Sequence, residues 1–117
     1  MNYRPLRVAG LIQEELALMI EREVDLEPGT LVTVTGVEVD KKLEHARVMV
    51  SVVPHANTET MLERLKQAQG TLQHLLLKKL NIKPLPRIAF YADLGAENAD
   101  RVEKLFIESE DKEDSAG

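Results

Sequence analysis

The chain has 117 residues, 44% of them hydrophobic and 30% charged, which fits one globular domain rather than a disordered segment. It contains no cysteine, so disulfide scaffolds, thiolate zinc sites and cysteine nucleophiles are excluded. The net charge of −5 argues against a nucleic-acid partner only when taken whole: residues 1–63 carry −5, residues 64–92 carry +6 with no acidic side chain, and residues 93–117 carry −6.

Val8, Leu11, Ile12, Leu16, Met19 and Ile20 recur at spacings of three and four, which predicts a first helix with one apolar face. Pro5 suits its first turn, where a missing N–H is no loss, and Pro28-Gly29 marks a turn beyond its end. Leu31 to Val39 is rich in β-branched residues and reads as a strand. Its parity slips at Gly36, with Val32 and Val34 in one set and Val37 and Val39 in the other; a β-bulge there restores one buried face. Asp40-Lys41-Lys42 makes a turn, and Ala46, Val48, Val50 and Val52 alternate along a second strand that Pro54 ends. These two strands are expected to pair as an antiparallel hairpin.

Asn57 or Thr58 can cap a second helical region reaching Leu80. Met61, Leu62, Leu65 and Ala68 form one apolar stripe, and Leu72, Leu75, Leu76 and Leu80 form another. Gly70 lies between them, and a break or kink there is expected to give two helices. Pro84 and Pro86 exclude further helix. Arg87 to Ala92 then reads as a third strand, with Ile88, Phe90 and Ala92 inward and Arg87, Ala89 and Tyr91 outward. Val102, Leu105 and Phe106 predict a short helix over 96–107. Residues 108–117 are acidic with almost no apolar content, and disorder is expected there. The organisation is one domain, 1–107, followed by an acidic tail, 108–117. Three strands cannot close a barrel, so the expected class is α+β, an open three-stranded sheet with helices on one face. No apolar run approaches the ~20 residues of a membrane span, and none follows Met1 to Pro5. A soluble cytoplasmic protein is expected.

The order of elements resembles the type II KH-like fold, and the local sequences resemble the ribosome-binding factor A family. The resemblance runs through Arg4 and Arg7-Val8, Val32 to Val39, and Leu43 with Ala46 to Val52. It continues through Ala68-Gln69-Gly70, Pro86 to Asp93, and Arg101-Val102 with Leu105, nearly the whole chain in order. It implies the order α-β-β-α-kink-α-β, with the kink at Ala68-Gln69-Gly70. It also implies a ribosome assembly factor that binds the free 30S subunit and supports late maturation and processing of 16S rRNA, near its 5′-terminal helix, with growth in the cold depending on it. Neither cofactor, metal, membrane nor small-molecule substrate is implied, and a monomer is expected. Gln73 and Asn81 stand where many members place arginine, and Ala99 where many place glycine.

KH domains clamp a nucleic-acid backbone at a Gly-x-x-Gly loop between two helices. The corresponding joint here is Ala68-Gln69-Gly70, whose small residues allow close approach. Lys66, Lys78 and Lys79 flank it, and Lys83 and Arg87 follow, all within the acid-free block. Arg4 and Arg7 at the start of the first helix, and Lys41 and Lys42 in the hairpin turn, complete the candidate RNA-binding set with Ala68 and Gly70. Each of these cations could instead be a solvated surface charge, and Arg87 could pair with Asp93 or Glu38. His45, His55 and His74 lack zinc-site spacing, and Asp40 with Glu44 or Glu59 with Glu63 read as turn and surface residues. No catalytic residue is expected. The alternative is a protein-interaction module that uses the same fold to hold a protein partner, which the net acidity keeps open.

Overall fold

The computed structural model describes residues 3–93. The helix expected over 96–107 and the acidic segment 108–117 lie outside the described residues. The elements are α1 (Arg4–Glu23), β1 (Leu31–Val39), β2 (His45–Val53), a 3-10 turn (His55–Asn57), α2 (Thr58–Leu80) and β3 (Arg87–Ala92).

Val8, Ile12, Leu16, Met19 and Ile20 line the buried face of α1, as their spacing requires. Leu11 does not join them: it is 44% exposed, and Ala9 is buried instead. The face centres on Ile12, Leu16 and Met19, and Leu11 lies roughly 100° from Ile12 around the helix, on its outer edge. After α1 the chain turns at Glu27-Pro28-Gly29-Thr30, closed by the Thr30 amide on the Glu27 carbonyl at 3.0 Å. Gly29 has φ +76, the left-handed position that favours glycine after proline in such a turn.

β1 and β2 form the expected antiparallel hairpin, and β3 adds parallel to β2, giving the order β1-β2-β3. The ladder shifts register between Val34 and Gly36, so the bulge falls where the parity slipped. Below it Val32 and Val34 are buried; above it Val37 and Val39 pack against the same core. The hairpin turn holds Leu43 at φ 60, yet Leu43 is only 8% exposed and belongs to the core. Burying a leucine contributes ~1.5–3 kcal/mol, enough to offset the ~1–2 kcal/mol of a left-handed non-glycine residue.

α1 packs on β1 and α2 on β3, so both helices cover one face of the sheet. Between the layers lie Ala46, Val48, Val50, Val52, Ile88 and Phe90 from the strands, against Met61, Leu65, Leu72 and Leu76 from α2. α2 is a single 23-residue helix that runs through Gly70 without interruption, so the expected division into two helices is not observed. The reason lies in the register. Met61, Leu65, Ala68, Leu72 and Leu76 follow one another at spacings of four, three, four and four, so the two stripes are one stripe. Burial of that continuous face outweighs the roughly 1 kcal/mol that a mid-helix glycine costs. Asn57 is the residue before α2, but its side chain makes no cap; its Nδ2 donates instead to Thr30 Oγ1 at 2.8 Å and ties the helix entry to the α1–β1 turn. Asn81 ends α2 at φ 52, the left-handed position that favours asparagine or glycine at a helix C-terminus.

The outer edge of β3 is closed by two glutamine side chains of α2. Gln73 donates through Nε2 to the Pro86 carbonyl at 2.8 Å and accepts at Oε1 from the Ile88 amide at 2.9 Å. Gln69 donates to the Ile88 carbonyl at 3.2 Å. Among the described residues the pair stands in for a neighbouring strand on the edge of β3. Gln73→Leu should therefore leave the Ile88 amide and Pro86 carbonyl without partners and cost about 2–3 kcal/mol. A thermal melt reads the loss, with faster amide exchange at Ile88 as its local signature.

Candidate nucleic-acid interface

The topology sorts the charged residues by end. β1 finishes and β2 begins at the hairpin turn, and the parallel partner β3 begins there too: Arg87 pairs with His45, and its amide donates to the Glu44 carbonyl at 2.9 Å. α2 runs antiparallel to β3, with Gln69 beside Ile88 and Gln73 beside Pro86, so its last turn reaches past the start of β3. Lys78, Lys79, Lys83 and Arg87 therefore gather at the same end as Lys41 and Lys42. α1 runs the other way. Gln13 reaches the Val34 carbonyl midway along β1, and the chain leaving α1 meets Arg64 near the start of α2. Arg4 and Arg7, nine and six residues before Gln13, thus point back toward the hairpin end.

Eight of the expected contact residues share that end, where the acidic side chains among the described residues are Glu38, Asp40 and Glu44. Among the described residues the opposite end holds Glu21, Glu23, Asp25, Glu27, Glu59, Glu63 and Asp93, with Arg22 and Arg64 as its cations. Arg64 is engaged there, donating to the Asp25 carbonyl at 2.6 Å and to the Glu27 carboxylate. Residues 3–93 contain twelve basic and twelve acidic side chains, so the −5 of the chain belongs to the residues after Asp93. The described domain is neutral and polarised. α1 is charged largely against its own dipole, with Arg4 and Arg7 at its start and Glu21 and Glu23 at its end, Arg22 in the last turn being the exception. Each such placement disfavours the helix by ~0.3–1 kcal/mol, so helix stability does not explain it. In α2 the charges agree with the dipole: Glu59 is in the first turn, Lys78 and Lys79 in the last.

The rest of the expected set lies apart, midway along α2. Lys66 and Gly70 are exposed on one face, four residues apart. Ala68 is half-buried against the core, so its side chain is part of the apolar stripe, and Gly70 alone of the joint is exposed. Apart from its chain neighbours and the adjacent helix backbone, nothing lies within 4 Å of where a Cβ on Gly70 would stand. Gly70→Ala should stabilise α2 by about 0.5–1 kcal/mol, raising Tm by roughly 3–6 °C.

The hairpin turn that carries Lys41 and Lys42 is held by Asp40. Its carboxylate accepts from the amides of Glu44 (2.7 Å) and His45 (3.2 Å) and lies 3.1 Å from the His45 ring. Partial burial pushes the Asp40 carboxyl up, but the hydrogen bonds from Glu44 and His45 together outweigh it and hold the group below the ordinary carboxylate value. The carboxylate is thus the form that fixes the two lysines.

The face of the sheet away from the helices carries Glu38, Arg47, Met49, Arg87, Ala89 and Tyr91. Tyr91 was expected outward, and it is, yet only 9% of it is exposed. A groove of about 330 Å³ crosses this face near the hairpin end, and its lining includes Glu38, Arg47, Arg87, Ala89 and Tyr91. Sequence reading did not single out Arg47 or Tyr91. Their strand parity carried the signal, since both alternate away from the buried set. Among the described residues no cluster of His, Asp and Glu could hold a metal ion, and no helix is long and apolar enough to cross a membrane.

A family model for ribosome-binding factor A matches residues 4–106. The ribosome-binding factor A of Chlamydia pneumoniae is 38% identical over 117 residues, covering 97% of this chain and 98% of its own. The crystal structure of ribosome-binding factor A from Thermus thermophilus superposes with a TM-score of 0.67 at 24% identity, over 75% of this chain and 94% of that one. A homology model of the Thermus thermophilus factor, fitted into a cryo-EM map of a 30S complex, matches with a TM-score of 0.53 at 22% identity, over 69% and 90% of the two chains.

Proposed function

The chain belongs to the ribosome-binding factor A family, and from that premise we propose that it binds the free 30S subunit through its basic end and supports late maturation of 16S rRNA. The observation that carries the reading is the convergence of Arg4, Arg7, Lys41, Lys42, Lys78, Lys79, Lys83 and Arg87 from four separate stretches of chain onto one end of a neutral domain. A phosphate backbone is the partner such an end attracts, because each neutralised phosphate releases bound counterions. The Thermus thermophilus relative has been placed in a 30S complex, which agrees with that choice of partner. The role is binding rather than catalysis, in the cytoplasm and as a monomer. The finer reading is action near the 5′-terminal helix of 16S rRNA, in support of its processing and of growth in the cold.

The test is sedimentation of the full chain through a sucrose gradient of bacterial lysate. Co-sedimentation with free 30S particles is expected, weakening as salt rises. A protein that stays at the top of the gradient at low salt overturns the reading and leaves a protein-interaction module. Gly70→Ala sharpens it: a variant that melts higher yet binds 30S particles less well places RNA against the α2 backbone. Unchanged binding removes Gly70 from the contact.

A further inference from the structure

We propose that the acidic segment 108–117 of this same chain occupies the basic end in the absence of RNA and is displaced when RNA binds. The proposal rests on the RNA-binding reading above and concerns how that site is regulated.

The basic end carries charge that the domain does not neutralise. Lys41, Lys42, Lys78, Lys79 and Lys83 are all exposed. Among the described residues none of the five is in an ion pair, whereas Arg64 at the opposite end is held by Glu27 and Asp25. Asp40, adjacent to Lys41, directs its carboxylate to the amides of Glu44 and His45 and to the His45 ring. Five like charges at one end repel one another, and an anion that gathers there relieves the repulsion.

Residues 108–117 carry five carboxylates (Glu108, Glu110, Asp111, Glu113 and Asp114) against Lys112, a net −4. The chain leaves β3 at Asp93, whose amide donates to the Val50 carbonyl at 2.7 Å, at the end that also holds Glu21, Glu23, Asp25 and Glu27. Carboxylates are repelled from that end and attracted to the other. The reach is sufficient. β2 has nine residues and spans about 30 Å along the sheet. Residues 94–107 extend up to roughly 46 Å when drawn out. Even at the rise of a helix, 96–107 covers ~18 Å, and residues 108–117 add up to roughly 33 Å. The later carboxylates arrive at the lysines by either path.

A tethered anion of this kind is a built-in competitor. Tethering gives it a local concentration in the millimolar range, and charge attraction requires no fixed conformation of the segment. If it covers the lysines about four-fifths of the time, RNA binds about fivefold more weakly. The penalty is the same for every ligand, so weak contacts with stray nucleic acid fall below useful occupancy. A large RNA surface, which adds Arg7 and Arg87 to the contact, retains its hold.

The chain has no cysteine, so Ser115→Cys accepts a nitroxide label at one place in the full-length protein. In the isotope-labelled chain at low salt, the label should broaden the amide resonances of Lys41, Lys42, Lys78, Lys79 and Lys83. Those of Glu23, Asp25 and Glu63 should stay sharp. Raising the salt to about 1 M, where the screening length falls to about 3 Å, should remove the broadening, as should titration with a short RNA duplex. Neutralising the segment (Glu108→Gln, Glu110→Gln, Asp111→Asn, Glu113→Gln and Asp114→Asn together) should also remove it. The same variant should bind the duplex about fivefold more tightly at low salt, with no gain at high salt. A label that broadens both ends alike, broadening that persists after neutralisation, or an unchanged duplex affinity overturns the proposal. The outcome is separable from the parent reading. Co-sedimentation with 30S particles and no preferential broadening remove only the contact of the segment. Preferential broadening that the duplex displaces, without co-sedimentation, leaves that contact and removes the ribosomal partner.

Discussion

Changing Lys78, Lys79 and Lys83 to glutamate together should abolish co-sedimentation with 30S particles while leaving the fold in place. All three are exposed, at the end of α2 and in the loop that follows, and none belongs to the core. Each phosphate contact contributes about 0.9 to the slope of log affinity against log salt, so three lost contacts should flatten that slope by roughly 2.7. The reversal also sets three carboxylates against the phosphates, and the affinity should fall by about 100-fold or more at moderate salt. Two of the lysines sit in the last turn of α2, where positive charge suits the helix dipole, so a stability loss of about 1–2 kcal/mol accompanies the change. Replacement of the same three by glutamine separates the effects: the dipole term halves, and a measurable fraction of binding returns. Reversal at the acidic end, with Glu59 and Glu63 changed to lysine, should leave co-sedimentation intact. Binding that survives the triple reversal with an unchanged salt slope would move the contact to Arg4 and Arg7.

How much of this could be read from the sequence depends on the range over which each feature is determined. The bulge at Gly36 was legible because strand parity is a local property, and the slip between Val34 and Val37 has few other solutions. The Pro28-Gly29 turn was legible for the same reason. Gly70 misled because propensity is local, while the continuity of the stripe from Met61 to Leu76 spans four turns of helix; tertiary burial decided the matter. Leu43 was readable as apolar but not as a left-handed core residue, since nothing near it in sequence demands that conformation. The acid-free block was visible as composition. Its fusion with Arg4, Arg7, Lys41 and Lys42 was not, because it requires knowing that α1 and β1 run in opposite directions and that β3 lies parallel to β2. Gln73 was readable as a polar helix residue but not as the partner of the β3 edge, which it meets only in the fold.

The largest effect on stability should come from Leu72→Ala. Leu72 is fully buried, at 0% exposure, and sits one residue before the Gln73 that holds β3. It is also the first core residue beyond Gly70, so its seat depends on α2 continuing in register through the glycine. Removing a buried leucine side chain costs the transfer energy of the lost carbons and a further term for the cavity, about 2.7–5 kcal/mol together. Against a total stability of roughly 5–15 kcal/mol, that should lower Tm by about 10–30 °C. Leu77→Ala is the internal comparison. Leu77 is 37% exposed on the outer side of the same helix, and its truncation should cost less than about 1 kcal/mol. Equal losses at the two positions would mean that α2 does not present Leu72 to the sheet, and the single-stripe account of the helix would fall. Because Leu72→Ala leaves every basic side chain in place, the variant should still travel with 30S particles in the cold, below its melting transition. Its binding should disappear with the same temperature dependence as its folded fraction.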